Sequence, residues 1–493
     1  MTPGAILVDC ASALFAEWHG GLPVDVAPVL GDGSARSYWR LSASDGTTAI
    51  GAHGPDREEN QAFFSYSRTF RSLGLPVPEL YQVDVDNGIW LLEDLGDVTL
   101  FDMIKETREP GSDAFPEAVM PIYRKVLEVL PRFQVEGGRA INFKRAYPRG
   151  AFDQQSILWD LNYFKYHFLK LAHVQFNEAR LEQDFSTLTR FLLKGDTSHF
   201  LYRDFQSRNV MIRGSGERVS PWFIDYQGGR RGALPYDVAS LLYDAKANLL
   251  DSHRATLLDH YLEAVVEHHP VSRDEFLESW PGYVLVRTLQ ALGAYGYRGF
   301  FERKPGFLQS VPYAAENLRG LLTAGFTFEV PELEATLTEI ANRWGSSVDV
   351  PPNPEGLEVS ISSFRFAGGY PQDTTGHGGG HVFDCRGLPN PGRQQEYRRL
   401  TGLDQETIEF LAAQPETVEF WTQVRGIIDA HVTSYVDRGF HSLAVHFGCT
   451  GGQHRSVYMA ERLAVHLRSL YPQVHVSVIH RERADWPRKH VSD

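Results

Sequence analysis

Hydrophobic and polar positions change their rhythm along this chain. From about residue 28 to 95, apolar and β-branched positions alternate with polar ones between glycine turns. That pattern predicts strands, with one helical stretch at 58–73. From 100 to about 344 most segments repeat their apolar positions at a helical period, ILWDLNYFKYHFLKLAHV at 157–174 among them. Short strand patterns interrupt the helices at 200–202, 210–213 and 222–226. A small sheet lobe ahead of a larger helical lobe is an α+β arrangement with a cleft between the lobes.

The rhythm breaks at GSSVDVPPNPEG, rich in Ser, Pro, Gly and Asn, which predicts a linker. Beyond it VSISSF, HVFDC, SLAVHF and VHVSVIH read as strands, separated by helices near 404–412, 416–437 and 454–469. This is the pattern of a small α/β domain with a mixed or parallel sheet. The expected organisation is a first domain at 1–345, with lobes at about 20–97 and 98–345, a linker at 346–357, and a last domain at 358–493.

Composition narrows the function. A length of 493 residues suits two or three domains, and 42% hydrophobic with 22% charged residues excludes a disordered chain. The formal charge, 48 − 62 = −14, disfavours general nucleic-acid binding and attraction to anionic membranes. From residue 351 onward 14 basic residues face 16 acidic ones, so the last domain tolerates an anionic ligand better than the whole chain does. Three cysteines, Cys10, Cys385 and Cys449, make neither a disulfide framework nor a C-x-x-C metal spacing. The first twenty residues lack a basic start and read as an amphipathic helix rather than a signal peptide. No apolar run approaches the ~20 residues of a membrane span, and the cytoplasm is the expected location.

Candidate chemistry centres on LYRDFQSRNVMI at 201–212 and WFIDYQGG at 222–229. Phosphoryl transfer needs a carboxylate to orient or deprotonate the attacking hydroxyl, and oxygen ligands for a magnesium ion that bridges phosphates. Asp204 supplies the first. Asn209 and Asp225, each on a loop beside a strand, supply metal ligands, in the order of kinase catalytic and metal loops. Solvated loop acids that coincide by chance are the bland alternative.

With these motifs, residues 20–345 resemble the aminoglycoside phosphotransferase, choline-kinase-like family, and within it the amino-sugar kinases of cell-wall recycling. The resemblance implies a two-lobed protein-kinase-like fold, ATP and Mg2+ as cofactors, and a sugar hydroxyl as acceptor. The family pattern is H-x-D-x4-N, and Tyr202 stands where that His belongs. LLEDLG at 91–96 resembles the hinge that contacts adenine, which places Glu93, Asp94 and Leu95 at the nucleotide. Asp237, in LPYDVASLL, is expected to cap or anchor its helix. The loop GDGSARSYWR offers Gly31, Gly33 and Ser34 to the phosphates, although a hairpin turn explains it as well. No lysine precedes Lys105, so the strand lysine of ordinary kinases is missing. Arg40 or Arg36 is expected in its place, oriented by Glu58 or Glu59. Trp159, Asp160, Asn162 and Tyr163 are candidates for the acceptor site, with a buried core helix as the alternative.

A second phosphate motif lies at GCTGGQHRS, 448–456, where a strand meets a helix. Free N–H groups and the helix dipole make such a junction an anion site, with Cys449, Thr450, Gly451, Gly452, Gln453, His454, Arg455 and Ser456 around it. Arg and His are disfavoured at a helix start unless an anion is bound. The same string fits a phosphatase loop with a Cys449 thiolate, although no general-acid loop is evident. Residues 358–483 resemble the C-terminal domain of the RapZ family of RNase adapters through SFRFAGGYPQD, VFDCRGLPNP, LTGLD, GCTGGQHRS and VSVIHRE. That resemblance implies an amino-sugar phosphate ligand such as glucosamine-6-phosphate, with Arg386 and Asn390 closing the site. It also implies RNA binding, which the missing N-terminal half of that family and the acidic charge argue against. Three functions follow: an amino-sugar kinase with a sensor domain, a pseudokinase joined to a sensor or RNA adapter, and a kinase–phosphatase pair using Cys449.

Overall fold

The computed structural model describes residues 3–29, 36–109, 112, 114–214, 216–345, 356–371, 380–483 and 486. Contacts divide the chain into two units, Met1–Tyr297 with Ser310–Ser346, and Ser347–Asp493 with Arg298–Gln309.

The first unit opens with the helix Pro3–His19 and an antiparallel sheet of β1 (Asp25–Val29), β2 (Ser37–Ser42), β3 (Thr48–His53), β4 (Leu80–Asp84) and β5 (Ile89–Glu93), in the order β1-β2-β3-β5-β4. Strand β5 explains its own sequence. Ile89 and Leu91 face the N-terminal helix, packing with Ala11, Phe15, Leu41 and Ala49. Trp90 and Leu92 face the helix Arg57–Ser72 and its Phe63, Phe64, Tyr66 and Phe70. A strand buried on both faces is a continuous apolar run rather than an alternation. Asp56 caps the helix Arg57–Ser72, accepting from the N–H groups of Glu58 and Glu59 at 3.0 and 3.1 Å. The cap fixes Glu59 in the first turn, where the helix dipole favours an acid.

The rest of this unit is mainly helical. Two short antiparallel pairs carry the functional loops: β6 (His199–Leu201) with β9 (Arg230–Gly232), and β7 (Val210–Arg213) with β8 (Ser220–Phe223). The long helix Arg273–Gly296 packs against the helix Gln154–Phe164 through glycines. A Cβ on Gly293 would lie 3.0 Å from the Phe164 nitrogen, and one on Gly296 would overlap the His167 carbonyl.

The second unit contains a parallel sheet of β10 (Glu358–Arg365), β11 (Gly380–Asp384), β12 (Ser442–Cys449) and β13 (His475–His480), in the order β11-β12-β10-β13. Val359, Ile361, Val445 and Phe447 from its inner strands pack with Ile428, Met459 and Leu463 from the helices Pro415–Asp437 and Arg455–Leu470. Among the described residues no helix is long and apolar enough to cross a membrane. The expected linker at 346–357 lies almost wholly outside the described residues.

The glycine contact yields a prediction. Gly296→Ala is expected to lower stability by about 1–3 kcal/mol, because two backbones must part to admit a methyl group. Urea unfolding followed by circular dichroism checks it, and an unchanged midpoint would contradict the close packing.

Candidate active site and phosphate loop

The chain leaving β6 is held from below by Asp237. This side chain sits in the first turn of the helix Pro235–Leu242 and is completely buried. It accepts hydrogen bonds from the backbone N–H of Tyr202 (2.9 Å) and of Arg203 (3.1 Å), and from Gln134 Nε2 (3.2 Å). Burial pushes its carboxyl up to about 7, against the pull of those donors. Arg203 adopts φ 87°, a left-handed conformation that costs a residue with a Cβ roughly 1–3 kcal/mol. Asp160 holds it there with two hydrogen bonds of 2.6 Å, and Tyr236 Oη accepts a third at 2.8 Å. The next residue is Asp204. Among the described residues its carboxylate has no hydrogen-bond or ion-pair partner, which leaves it available to a hydroxyl.

Asn209 and Asp225 meet beside it. Asn209 Nδ2 donates to the Asp204 carbonyl at 2.8 Å and to Asp225 Oδ2 at 3.1 Å. Its Oδ1 remains for a cation. Asp225 also has a left-handed backbone, φ 69°, and its Oδ1 accepts from Gln227 Nε2 at 2.7 Å. Burial raises the Asp225 carboxyl, the charge of Asp204 raises it further, and Gln227 and Arg36 draw it back. Two neighbouring carboxylates with one free amide oxygen are a donor set suited to a hard divalent cation. Tyr202, in the position of the family's His, does the structural work of tying the loops together: its Oη donates to the Ile224 carbonyl at 2.7 Å.

The geometry separates the two candidate arginines. Arg40 is saturated by Asp94 (2.7 and 3.1 Å) and Asp97 (2.8 and 3.1 Å), so it braces the segment 94–97. Burial opposes ionisation of Asp94, but Arg40 and the Gly96 N–H outweigh it and hold that carboxyl below its usual range. Glu93 pairs with Arg213 at 2.6 Å, and Leu95 is buried. Arg36 instead lies 3.2 Å from Glu59 and over the rings of Phe63 and Trp90, and it is the cation that bears on Asp225. An arginine–glutamate pair thus stands beside Asp225. Gly31, Gly33 and Ser34 lie outside the described residues. Of the acceptor candidates, Asp160 is committed to Arg203, Asn162 donates to Leu158 O at 2.9 Å, and Tyr163 packs against His167. Trp159 remains exposed, with Arg149 over its ring. The Asp160–Arg203 pair was missed as such in the sequence, because 43 residues separate its members.

In the second unit, β12 ends at Cys449 and the helix begins at Arg455. Cys449 Sγ accepts from the Gly452 N–H at 3.2 Å and lies 3.1 Å from Ser456 Oγ. Gly452 has φ 66°, and a Cβ there would lie 2.5 Å from Glu482 Oε2, so the turn requires glycine. Arg455 Nη1 donates to the carbonyls of Arg386 (3.0 Å) and Leu388 (3.1 Å), while its buried Nε has no partner. Thr450, Arg455, Arg386, Asn390, Arg393 and Glu416 help line a cavity of about 370 Å³. Gln453 and His454 turn the other way. Gln453 Nε2 donates to Leu400 O at 2.6 Å, and His454 Nε2 lies 2.9 Å from Tyr397 O. Burial lowers the His454 pKa, which keeps the ring neutral. Arg393, absent from the expected set, stands in the run PNPGR directly after the matched motif.

A strand lobe, a helical lobe and a carboxylate pair on adjoining loops define a kinase-like phosphotransferase, followed by a small α/β domain with a phosphate loop. A profile of the phosphotransferase enzyme family matches residues 25–273, about half of the chain, and the RapZ C-terminal domain profile matches 357–484. The chain belongs to the phosphotransferase enzyme family and carries a RapZ C-terminal domain. A nucleotide-binding protein of Ralstonia nicotianae is 40% identical over 131 residues, 27% of this chain and 42% of that protein. One from Halorhodospira halophila is 43% identical over 127 residues, 26% and 42% of the two chains. The match spans less than half the length of these relatives. Among solved structures, choline kinase LicA from Streptococcus pneumoniae aligns at 16% identity with a TM-score of 0.42, over 65% of this chain and 99% of that one. A microcompartment-associated aminopropanol kinase aligns at 14% identity with a TM-score of 0.45, over 65% and 99%.

The elevated Asp237 carboxyl has a consequence for stability. Its folded value lies above the ordinary one near 4, so the folded chain holds this proton more tightly than the unfolded chain. That contribution is complete below about pH 4 and is lost as pH rises through about 7. Asp237→Asn is expected to flatten the pH dependence of unfolding between these values. Asp237→Ala should cost roughly 1–3 kcal/mol by leaving two buried N–H groups unpaired. Equal slopes for wild type and Asp237→Asn in urea titrations would contradict this account.

Proposed function

We propose that the first unit transfers the γ-phosphate of ATP to a hydroxyl of an amino sugar, such as N-acetylmuramate or N-acetylglucosamine. The second unit, on this reading, binds an amino-sugar phosphate such as glucosamine-6-phosphate. The observation that carries the first part is the meeting of Asp204, Asn209 and Asp225 on adjoining loops. Asp204 accepts the proton of the acceptor hydroxyl, and its unbonded carboxylate suits that role. Asn209 Oδ1 and Asp225 hold the magnesium ion. Bound there, magnesium supplies charge neutralisation for the phosphate oxygens. Arg36, steadied by Glu59, contacts phosphate, and the hinge backbone at 93–95 takes the adenine. The presence of the Arg36–Glu59 pair favours an active kinase over a pseudokinase.

In the second unit, Arg455, whose buried Nε has no partner, lines the cavity together with Arg386, Arg393, Asn390 and Thr450. A polar cavity with three arginines suits a phosphorylated ligand. Cys449 is 2% exposed, and its sulfur is occupied by the Gly452 N–H and Ser456, which favours a binding role over a nucleophilic one.

These assignments are open to direct measurement. With purified protein, ATP and a panel of sugars, ADP release is expected, and Asp204→Asn should reduce kcat by about 10²-fold or more. In calorimetry, Asp225→Ala should abolish Mg-ATP binding; no Mg-ATP binding by the wild type would instead favour the pseudokinase. Glucosamine-6-phosphate should bind the wild type and lose about tenfold or more in affinity on Arg455→Ala. Release of phosphate from that sugar, abolished by Cys449→Ser, would replace the sensor with a phosphatase.

A further inference from the structure

Three arginines around the active site are matched to acids. Arg36 lies against Glu59, Arg40 against Asp94 and Asp97, and Arg203 against Asp160. Arg230 opens β9, opposite Leu201 of β6, and is only 6% exposed. Its Nε donates to the Gly228 carbonyl at 3.1 Å. A Cβ on Gly228 would lie 4.0 Å from Asp204 Oδ2, so this anchor stands against the catalytic carboxylate. Among the described residues no carboxylate pairs with Arg230, and its terminal nitrogens have no partner.

Burial, and then repulsion from Arg203, pulls the Arg230 pKa down to about 10, which still leaves it charged at neutral pH. A cation withdrawn from water without a counter-ion is costly, and such groups persist where a ligand supplies the missing charge. The side from which that charge comes is also legible. Arg36 bears on Asp225, at the metal and nucleotide side. The acids that bear on Arg230 are Asp160 and Asp204, and Asp160 is already committed to Arg203. Arg230 therefore stands with the base that receives the acceptor.

We propose that Arg230 binds an anionic group carried by the acceptor, a carboxylate or a phosphate, so that the preferred acceptor is an acidic hydroxyl compound and its neutral counterpart a poor one. This rests on the phosphotransferase reading above and adds a substrate class to it. The guanidinium presents two parallel donors, a geometry that suits the paired oxygens of either anion. A hydroxyl on the same molecule would then be presented to Asp204.

The test uses acceptor pairs that differ in the anion: N-acetylmuramate against N-acetylglucosamine and glucuronate against glucose for a carboxylate, and glucosamine-6-phosphate against glucosamine for a phosphate. Both kcat/KM and calorimetric binding in the presence of Mg-AMP-PNP are measured on the full chain. Because glucosamine-6-phosphate is also the ligand proposed for the second unit, its arm is read in the Arg455→Ala background. The wild type is expected to favour the anionic member of at least one pair by about tenfold or more. That ratio should fall to near one in Arg230→Met and recover in part in Arg230→Lys. Equal affinity for both members of every pair overturns the proposal. So does a preference that survives Arg230→Met in a variant with the wild-type melting temperature. A raised KM for ATP with the acceptor ratio unchanged would move the anion to the nucleotide and also overturn it. Should Arg230→Met fail to fold, the wild-type ratios and Arg230→Lys decide. Selective binding without turnover would leave this assignment standing and sink the kinase reading alone.

Discussion

The active site depends on a carboxylate that is expected to touch no substrate. Asp237 receives the backbone N–H groups of Tyr202 and Arg203 at the point where the chain leaves β6, and it does so from complete burial. Without that anchor Arg203 at φ 87° would lose its backbone tie. The second brace is the Asp160–Arg203 fork, and behind it lies the glycine-mediated approach of two helices. A chain of contacts therefore runs from Gly296, through the helix that carries Asp160, to the residue beside Asp204. Local backbone strain at functional loops is common, and it persists because surrounding packing overdetermines it.

Charge is arranged as carefully as backbone. Asp204 and Asp225 repel, and both stay close because Asn209 bridges the Asp204 backbone and the Asp225 side chain. The cations divide between them: Arg36 faces one acid and Arg230 the other. The planar guanidinium of Arg36 stacks over the rings of Phe63 and Trp90, a contact that the compact ammonium of a lysine makes less well.

Much of this was legible in the residues alone. The strand-like stretch at 28–95 forms a sheet, although in β5 the expected alternation is a continuous apolar run, and Asp204, Asn209 and Asp225 lie beside the expected short strands. The phosphate loop stands at a strand–helix junction, as its glycines indicated. What escaped was pairing over distance. Nothing in RSYWRL says which arginine meets Asp94 and Asp97 and which meets Glu59. Gln453 and His454 belong to the motif yet hold the segment 397–400, because helix direction sends them away from the cavity. Arg230 looked like one more basic residue in GGRRGA until its burial set it apart from Arg231.

The parallel sheet of the second unit places its cavity residues after the ends of strands. Arg386, Asn390 and Arg393 follow β11, and Thr450 and Arg455 follow β12, while Val445 and Phe447 within the strands fill the core. Recognition and folding are thereby assigned to different stretches of polypeptide. Substitution along the rim can reshape the cavity while the scaffold beneath keeps its melting point, so the lining of this module is free to diverge without loss of its architecture.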